Sequence, residues 1–434
     1  MKVNRVALLV AAFFCFCGFD VNGSTNECSP CEKVDLSASP HTPVSIFDGI
    51  NKKSVPKTGF AVYGWLQTGI TINEYGQKNR YDSPYISPVH RQLAGDSANS
   101  HLLTQEQQSD FKLNQLWLGV ERPLDPRKEL DWGFQSNLAY GTDVRYTQCN
   151  SDKTFDYGWG CGDYSLSIVS LYGDVGYKNL SVRVGKFDAE TRNESFSAPA
   201  TFFYTCTYAS FNDPTLSGVR AAYRINDHWT VLSAWSTGEG TSFENKFDDN
   251  GILFQVRFTP TKSTLLKYSF FLEHNNGLNK RADAATRYGR DFLTRDWSTH
   301  QVVFQWDITS HWRFETEGFS HSRQMHTNRG DETGFSNGYN LNLFYKINER
   351  WSVGGRYEWL KGRNVLYDLP HLTGGLGTEI HAMSFAVNWQ PTYRLNLRTE
   401  LRHDWTDYNN GYRPFDAGKQ SDQLVFGSAM TVKF

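Results

Sequence analysis

From Gly59 to Phe434 the chain repeats one pattern, segments of about ten residues in which apolar and polar side chains alternate and charges keep to one parity. In 394–404, Leu395, Leu397 and Leu401 share one parity, and Asn396, Arg398, Glu400 and Arg402 the other. In 337–347, Tyr339, Leu341, Leu343, Tyr345 and Ile347 oppose Asn340, Asn342 and Lys346. The last segment sets Leu424, Phe426, Met430, Val432 and Phe434, with Ser428, against Gln423, Thr431 and Lys433. A period of two is that of a strand with two unlike faces. Rows of Arg and Glu would be too costly in a dry sandwich core, where every buried charge needs a partner, but they suit the wall of a water-filled pore. The apolar row then faces lipid.

Sixteen such segments can be read, at 59–73, 112–122, 131–143, 166–177, 180–188, 217–225, 229–237, 250–259, 264–273, 298–308, 312–321, 337–347, 351–360, 379–389, 394–404 and 422–434. Their connections alternate. Long ones such as 74–111, 144–165, 189–216, 274–297, 322–336 and 361–378 follow odd segments; short ones such as Lys178-Asn179, 225–228, 259–262 and 347–350 follow even segments. One end is therefore looped and the other tightly turned. The fold class expected is all-β, a transmembrane antiparallel up-and-down β-barrel of about 16 strands with long extracellular loops and short periplasmic turns. That asymmetry puts both termini in the periplasm. Trp132, Tyr177, Trp229, Trp312, Trp351 and Trp389 gather beside the short turns, where amphipathic rings favour the membrane interface.

Composition agrees. Aromatic residues make up 15% of the chain while only 39% is hydrophobic, a mixture that a barrel with a thin apolar band accommodates better than a large aliphatic core does. A net charge of -2 gives no electrostatic argument for nucleic acid as a partner.

Lys2, Arg5, an apolar run over Val6–Phe19 and the small residue at Gly23 predict a signal peptide over 1–23, leaving 24–58 as a periplasmic segment ahead of the barrel at 59–434. The apolar run falls short of the roughly 20 residues of a spanning helix. Of seven cysteines, Cys15 and Cys17 lie in the leader. Cys149 and Cys161 bracket the second long loop and are expected to bond in an oxidising compartment. Cys28 and Cys31 have redox-motif spacing without a strand and helix to build such a site, so a disulfide or a loose metal contact is the expectation; Cys206 is the odd thiol.

The segments DWGFQSNLAYGTDVR (131–145), YGDVGYKNLSVRVGKF (172–187), GVRAAYRINDHWTV (218–231) and NLFYKINERWSVGGRYEW (342–359) resemble the OmpL-like β-barrel porin family. The resemblance covers most of 59–434. It implies a channel in the cell outer membrane, with lipid around it and small polar solutes and ions inside, rather than an enzyme. Trimer formation would follow the habit of sixteen-stranded porins.

General porins fold the third long loop inward. By that analogy, Glu190, Arg192, Glu194 and Asp213 in 189–216 would face wall charges across a constriction. Parity assigns the wall to Arg183, Arg220, Arg224, Arg257, Lys267, Arg313, Arg356, Arg398 and Arg402 among cations and to Glu273, Glu315, Glu317, Glu358 and Glu400 among anions. No catalytic, cofactor or metal constellation is expected. His321 and Ser322 are adjacent without an acidic orienter, and Gly374-Gly375-Leu376-Gly377 opens no helix. The alternative reading is a structural or adhesive barrel with a plugged lumen.

Overall fold

A computed structural model describes residues 59–75, 111–125, 128–148, 156, 159–161, 164–194, 197–206, 215–239, 250–274, 293–327, 330–363, 378–406, 415 and 420–434. Its strands are β1 (Ala61–Asn73), β2 (Lys112–Arg122), β3 (Leu130–Gly141), β4 (Gly160–Cys161), β5 (Tyr164–Tyr177), β6 (Leu180–Asp188), β7 (Thr215–Arg224), β8 (Trp229–Glu239), β9 (Asn250–Thr261), β10 (Thr264–His274), β11 (Leu293–Asp307), β12 (Trp312–Thr327), β13 (Gly330–Lys346), β14 (Trp351–Arg363), β15 (Thr378–Thr392), β16 (Leu395–Thr406) and β17 (Asp422–Lys433). Sixteen of them close a ring in chain order, with β3 paired to β5 and β17 returning to β1; the two-residue β4 pairs with β5 alone.

Among the described residues, closure leaves no open edge in the sixteen-stranded ring to template another chain. Its seam is sealed by Gly64 and Phe434, whose backbones exchange hydrogen bonds of 3.0 and 2.9 Å. Gly64 is needed there because a Cβ at that position would lie 2.5 Å from the Trp117 carbonyl and also meet the Phe434 ring.

Three short turns share one construction, Ile-Asn/Thr-x-x-Trp. In Ile225–Trp229 and Ile347–Trp351 an Asn oxygen accepts two backbone N–H bonds: Asn226 Oδ1 from His228 and Trp229 at 2.9 Å, and Asn348 Oδ1 from Arg350 at 2.9 Å and Trp351 at 3.0 Å. Thr309 Oγ1 does the same for His311 and Trp312 at 3.1 and 3.0 Å. In each, the Ile N–H donates to the Trp carbonyl. Side-chain oxygens satisfy donors that a tight turn leaves without strand partners. The turn thereby plants Trp229, Trp312 and Trp351 on the outer face at the barrel rim, where Trp229 stacks on Phe258, Trp312 packs on Tyr345 and Trp351 stacks on Trp389.

Parity is kept around the ring. Leu116, Leu118, Val120, Ile252, Phe254, Leu341 and Leu343 are exposed on the outer face, while Gln67, Gln135, Asn137, Gln255 and Asn340 are buried inside. The expected long loop at 322–336 is corrected. There β12 and β13 run on, pairing Ser322 with Phe335 and ending at Thr327 with Gly330, past the end of the β14 pairing at Phe335 with Arg363 and alongside β11, which stays paired as far as His326. The mostly polar residues of this hairpin satisfy their backbone groups by pairing across the two strands, which needs no apolar side chains.

Candidate functional site

The segment that follows β6 lies against the inner wall. It leaves the strand through Glu190, which has a positive φ of 59°, a conformation that a side-chain-bearing residue keeps only when its surroundings fix it. They do so on every side. The Glu190 N–H donates to Asp188 Oδ1 at 2.7 Å, and its carbonyl accepts from Gln255 Nε2 at 3.0 Å and Lys267 Nζ at 2.9 Å. The carboxylate bonds the guanidiniums of Arg220 on β7 and Arg257 on β9 and stands 3.6 Å from that of Arg183 on β6. Burial by itself would raise this carboxyl, but Arg220, Arg257 and Arg183 outweigh that and hold it down at about 2, against an ordinary 4.5.

Farther along, Arg192 O accepts from Lys267 Nζ at 2.6 Å. Asn193 bonds Gln305 on β11 and Glu315 on β12, and its N–H donates to Glu317 Oε2 at 3.1 Å. Glu194 meets Arg356 on β14 at 3.4 Å.

The stretch 197–206 is gripped by β16, whose inward row reads Arg398, Glu400, Arg402, Asp404. Arg398 donates to the carbonyls of Ala198, Thr201 and Phe203 at 2.9, 2.7 and 3.1 Å. Glu400 accepts the N–H groups of Tyr204 and Thr205. Arg402 bonds Asp404 at 2.8 Å and Glu358 at 3.3 Å and reaches the Cys206 carbonyl at 3.4 Å. Cation and anion alternate along the strand as carbonyl and amide alternate along the segment, so charged side chains replace the water that its backbone would otherwise need.

Aromatic rings settle into recesses made by glycine. Tyr204 lies across Gly69 of β1 and Gly427 of β17, where a Cβ on Gly427 would be 2.8 Å from its ring, and its hydroxyl donates to Asn114 Oδ1 at 3.1 Å. Phe202 rests on Gly354 of β14, 2.5 Å from where a Cβ would stand. Strand glycines of inward parity mark such close approaches, and they were the legible signal for a docked segment that reading charges alone misses.

All 14 wall candidates have inward parity. Most of them are covered by protein inside the barrel. Arg183, Arg220, Lys267, Glu273, Arg313, Glu317, Arg356, Glu358, Arg398, Glu400 and Arg402 are buried, while Arg224, Arg257 and Glu315 are half-buried. The physical reason is the docked segment, which supplies partners to much of this row and displaces solvent from it. Arg313 is an exception, bonding Asp307 on its own wall at 3.0 Å.

Asp213, Cys28, Cys31, Cys149 and Gly374–Gly377 lie outside the described residues, and Cys161 is described only by its backbone pairing to Tyr164. Cys206 is half-buried. His321 and Ser322 point to opposite faces. His321 Nδ1 meets Thr299 Oγ1 at 2.8 Å inside, and Ser322 meets Ser298 at 3.0 Å outside.

Residues 59–434, the whole barrel, match the family described as "Putative beta-barrel porin-2, OmpL-like". The chain belongs to this family. It is an outer-membrane porin, and solved porins share its architecture. The anion-selective porin from Comamonas acidovorans is 10% identical, with a TM-score of 0.54 over 86% of this chain and 99% of that one. OmpF of Salmonella typhi in complex with daunomycin is 10% identical, with a TM-score of 0.53 over 86% and 97%. At such identity the likeness shows the porin's fold alone. No curated protein matches the chain.

Proposed function

We propose that this porin is a passive channel for small polar solutes and ions, and that segment 189–206 is its constriction. The carrying observation is where the segment is tied. Glu190 is bonded to β7 and β9, Thr205 to β16, and β16 stands eight strands from β8 in a ring of sixteen. A segment fixed at opposite sides and bonded to β12 and β14 between them takes up cross-section that a bare barrel of this size would leave to water. Purified protein in planar bilayers should give stepwise conductance, and deletion of 195–210 should raise it. A barrel that inserts and stays closed at all voltages would overturn the channel.

One observation favours the second reading, a plugged structural or adhesive barrel: Arg398, Glu400 and Arg402 are at most 2% exposed. That reading expects no conductance, and deletion of 195–210 leaves permeation untouched while abolishing partner binding.

The opposed faces of His321 and Ser322 support a channel rather than a hydrolase. The shared short-turn end of Gly59 and Phe434 supports periplasmic termini, which proteolysis of intact cells compared with lysed cells would test. Assembly as a homotrimer is tested by gel mobility before and after boiling.

A further inference from the structure

The inner wall of β6–β10 is built from like charges. Arg183 on β6 stands directly opposite Arg220 on β7, and Arg257 on β9 directly opposite Lys267 on β10. Opposed like charges on neighbouring strands repel, so each pair needs an anion between its members. Asp174 supplies one carboxylate, to Arg183 at 2.8 Å, and Glu190 supplies the other, shared among Arg220, Arg257 and Arg183. Lys267 spends its hydrogen bonds on the neutral carbonyls of Glu190 and Arg192.

A fifth cation extends the row toward the short turns. Arg224 on β7 pairs across to Thr230 on β8, and Thr230 pairs across to Arg257. The Arg224 guanidinium donates to a neutral partner, Asn179 Oδ1 at 3.4 Å. The four guanidiniums of this patch, on Arg183, Arg220, Arg224 and Arg257, thus share the two carboxylates of Asp174 and Glu190.

The excess is not sealed in. Arg257 keeps 33% of its side chain exposed and Arg224 is half-buried, whereas Arg183 and Arg220 are closed off. Reachable positive charge therefore sits between Glu190 and the short turns, on two strands separated by one, roughly 10 Å apart at the backbone. The Arg257 guanidinium, held by Glu190 and by Gln255 Oε1 at 2.6 Å, and that of Arg224, with the single hydroxyl of Thr230 on the strand between them, suit an oxyanion that can accept from both sides.

We infer that Arg224, Thr230 and Arg257 form a binding step for small oxyanions on the permeation path and make the channel anion-selective. The inference rests on the channel reading. A low-dielectric wall carrying uncompensated cations concentrates anions in the adjoining water and repels cations, and two forks give a transient stop between vestibule and constriction.

The test uses the full-length folded protein and inorganic phosphate as probe. In a KCl gradient the reversal potential should show chloride preferred over potassium, and millimolar phosphate should reduce the chloride current. R224Q, which leaves the Glu190 bonds in place, should lower the anion preference at least twofold and weaken the phosphate effect about tenfold; R257Q should do the same, and R394Q, in the exposed turn between β15 and β16, should change neither. Cation preference in the parent, or a phosphate effect that survives both R224Q and R257Q, would overturn the site. Phosphate binding to detergent-solubilised protein, read by phosphorus NMR line broadening, is independent of conduction. Binding lost in R224Q supports the site even where the channel fails to conduct, and absence of binding in the parent overturns it.

Discussion

Glu400 holds Thr205 with both carboxylate oxygens, one accepting the backbone N–H at 2.8 Å and the other the side-chain hydroxyl at 2.7 Å. The two residues are 195 positions apart, and both are buried. The oxygen that takes the Thr205 N–H also takes that of Tyr204 at 2.7 Å, so one side chain satisfies three donors of the inner segment. A hydrogen bond to a charged group contributes about 1.5 to 3 kcal/mol. We predict that Glu400→Gln, which keeps the volume and removes the charge, loosens the segment by about 2 kcal/mol, roughly thirtyfold in its released population. Protease nicking within 189–214 of the folded protein should quicken accordingly while the barrel still migrates as folded.

The recess under Tyr204 gives a second expectation. Gly427→Val puts a branched side chain against the ring, and after Tyr204 the nearest atom to its Cβ is the Thr71 methyl at 3.7 Å. The barrel should assemble, the segment should be displaced, and single-channel conductance should rise. Tyr204→Phe keeps the packing and loses only the bond to Asn114, so its conductance should stay close to that of the parent. Equal conductance in all three would show that the recess does not seat the segment.

Acid should release the segment at its other end. The Glu190 carboxyl is held at about 2 in the folded protein against an ordinary 4.5. A depressed value means that its contribution is complete above about pH 4.5 and is lost as pH falls toward about 2. Protonation then leaves Arg183, Arg220 and Arg257 without the carboxylate that they share. Conductance recorded between pH 6 and pH 2 should rise or become noisy below about 4.5, and Glu190→Gln should show that behaviour already at pH 7. A flat profile in the parent would remove Glu190 from the anchoring of the segment.

Barrel closure depends on space as well as pairing. Gly64→Leu forces a side chain into the Trp117 carbonyl and the Phe434 ring, at a seam where every other strand contact is intact. Folded, heat-modifiable protein on gels should fall severalfold, whereas Phe434→Ala, which vacates that space, should partly rescue Gly64→Ala.

Much of this architecture was legible before any coordinates. The opposed parity of Leu397 and Arg398, or of Leu341 and Asn342, depends on neighbouring residues alone, since a strand turns successive side chains to opposite faces whatever it pairs with. The Ile-Asn/Thr-x-x-Trp turns are equally local, because the Asn or Thr oxygen reaches only two or three residues along the chain. Where strands stop is less local. β12 and β13 continue past the apolar band because Ser322 and Phe335 pair with each other, and no side-chain pattern was required for that.

The state of the lumen was decided elsewhere. Inward parity assigned Arg398, Glu400 and Arg402 to the wall, but not whether water or protein would meet them. That depends on Ala198, Thr201 and Thr205 arriving from nearly two hundred residues away, with backbone carbonyls and amides that carry no residue-specific mark in a sequence. The sequence alone determined a closed, lipid-facing barrel with charge turned inward, since alternation and turn chemistry act over a few residues. Only the tertiary structure decided which of those charges are spent on the protein's own segment, as at Arg398, Glu400 and Arg257, and which, as at Arg224, are not.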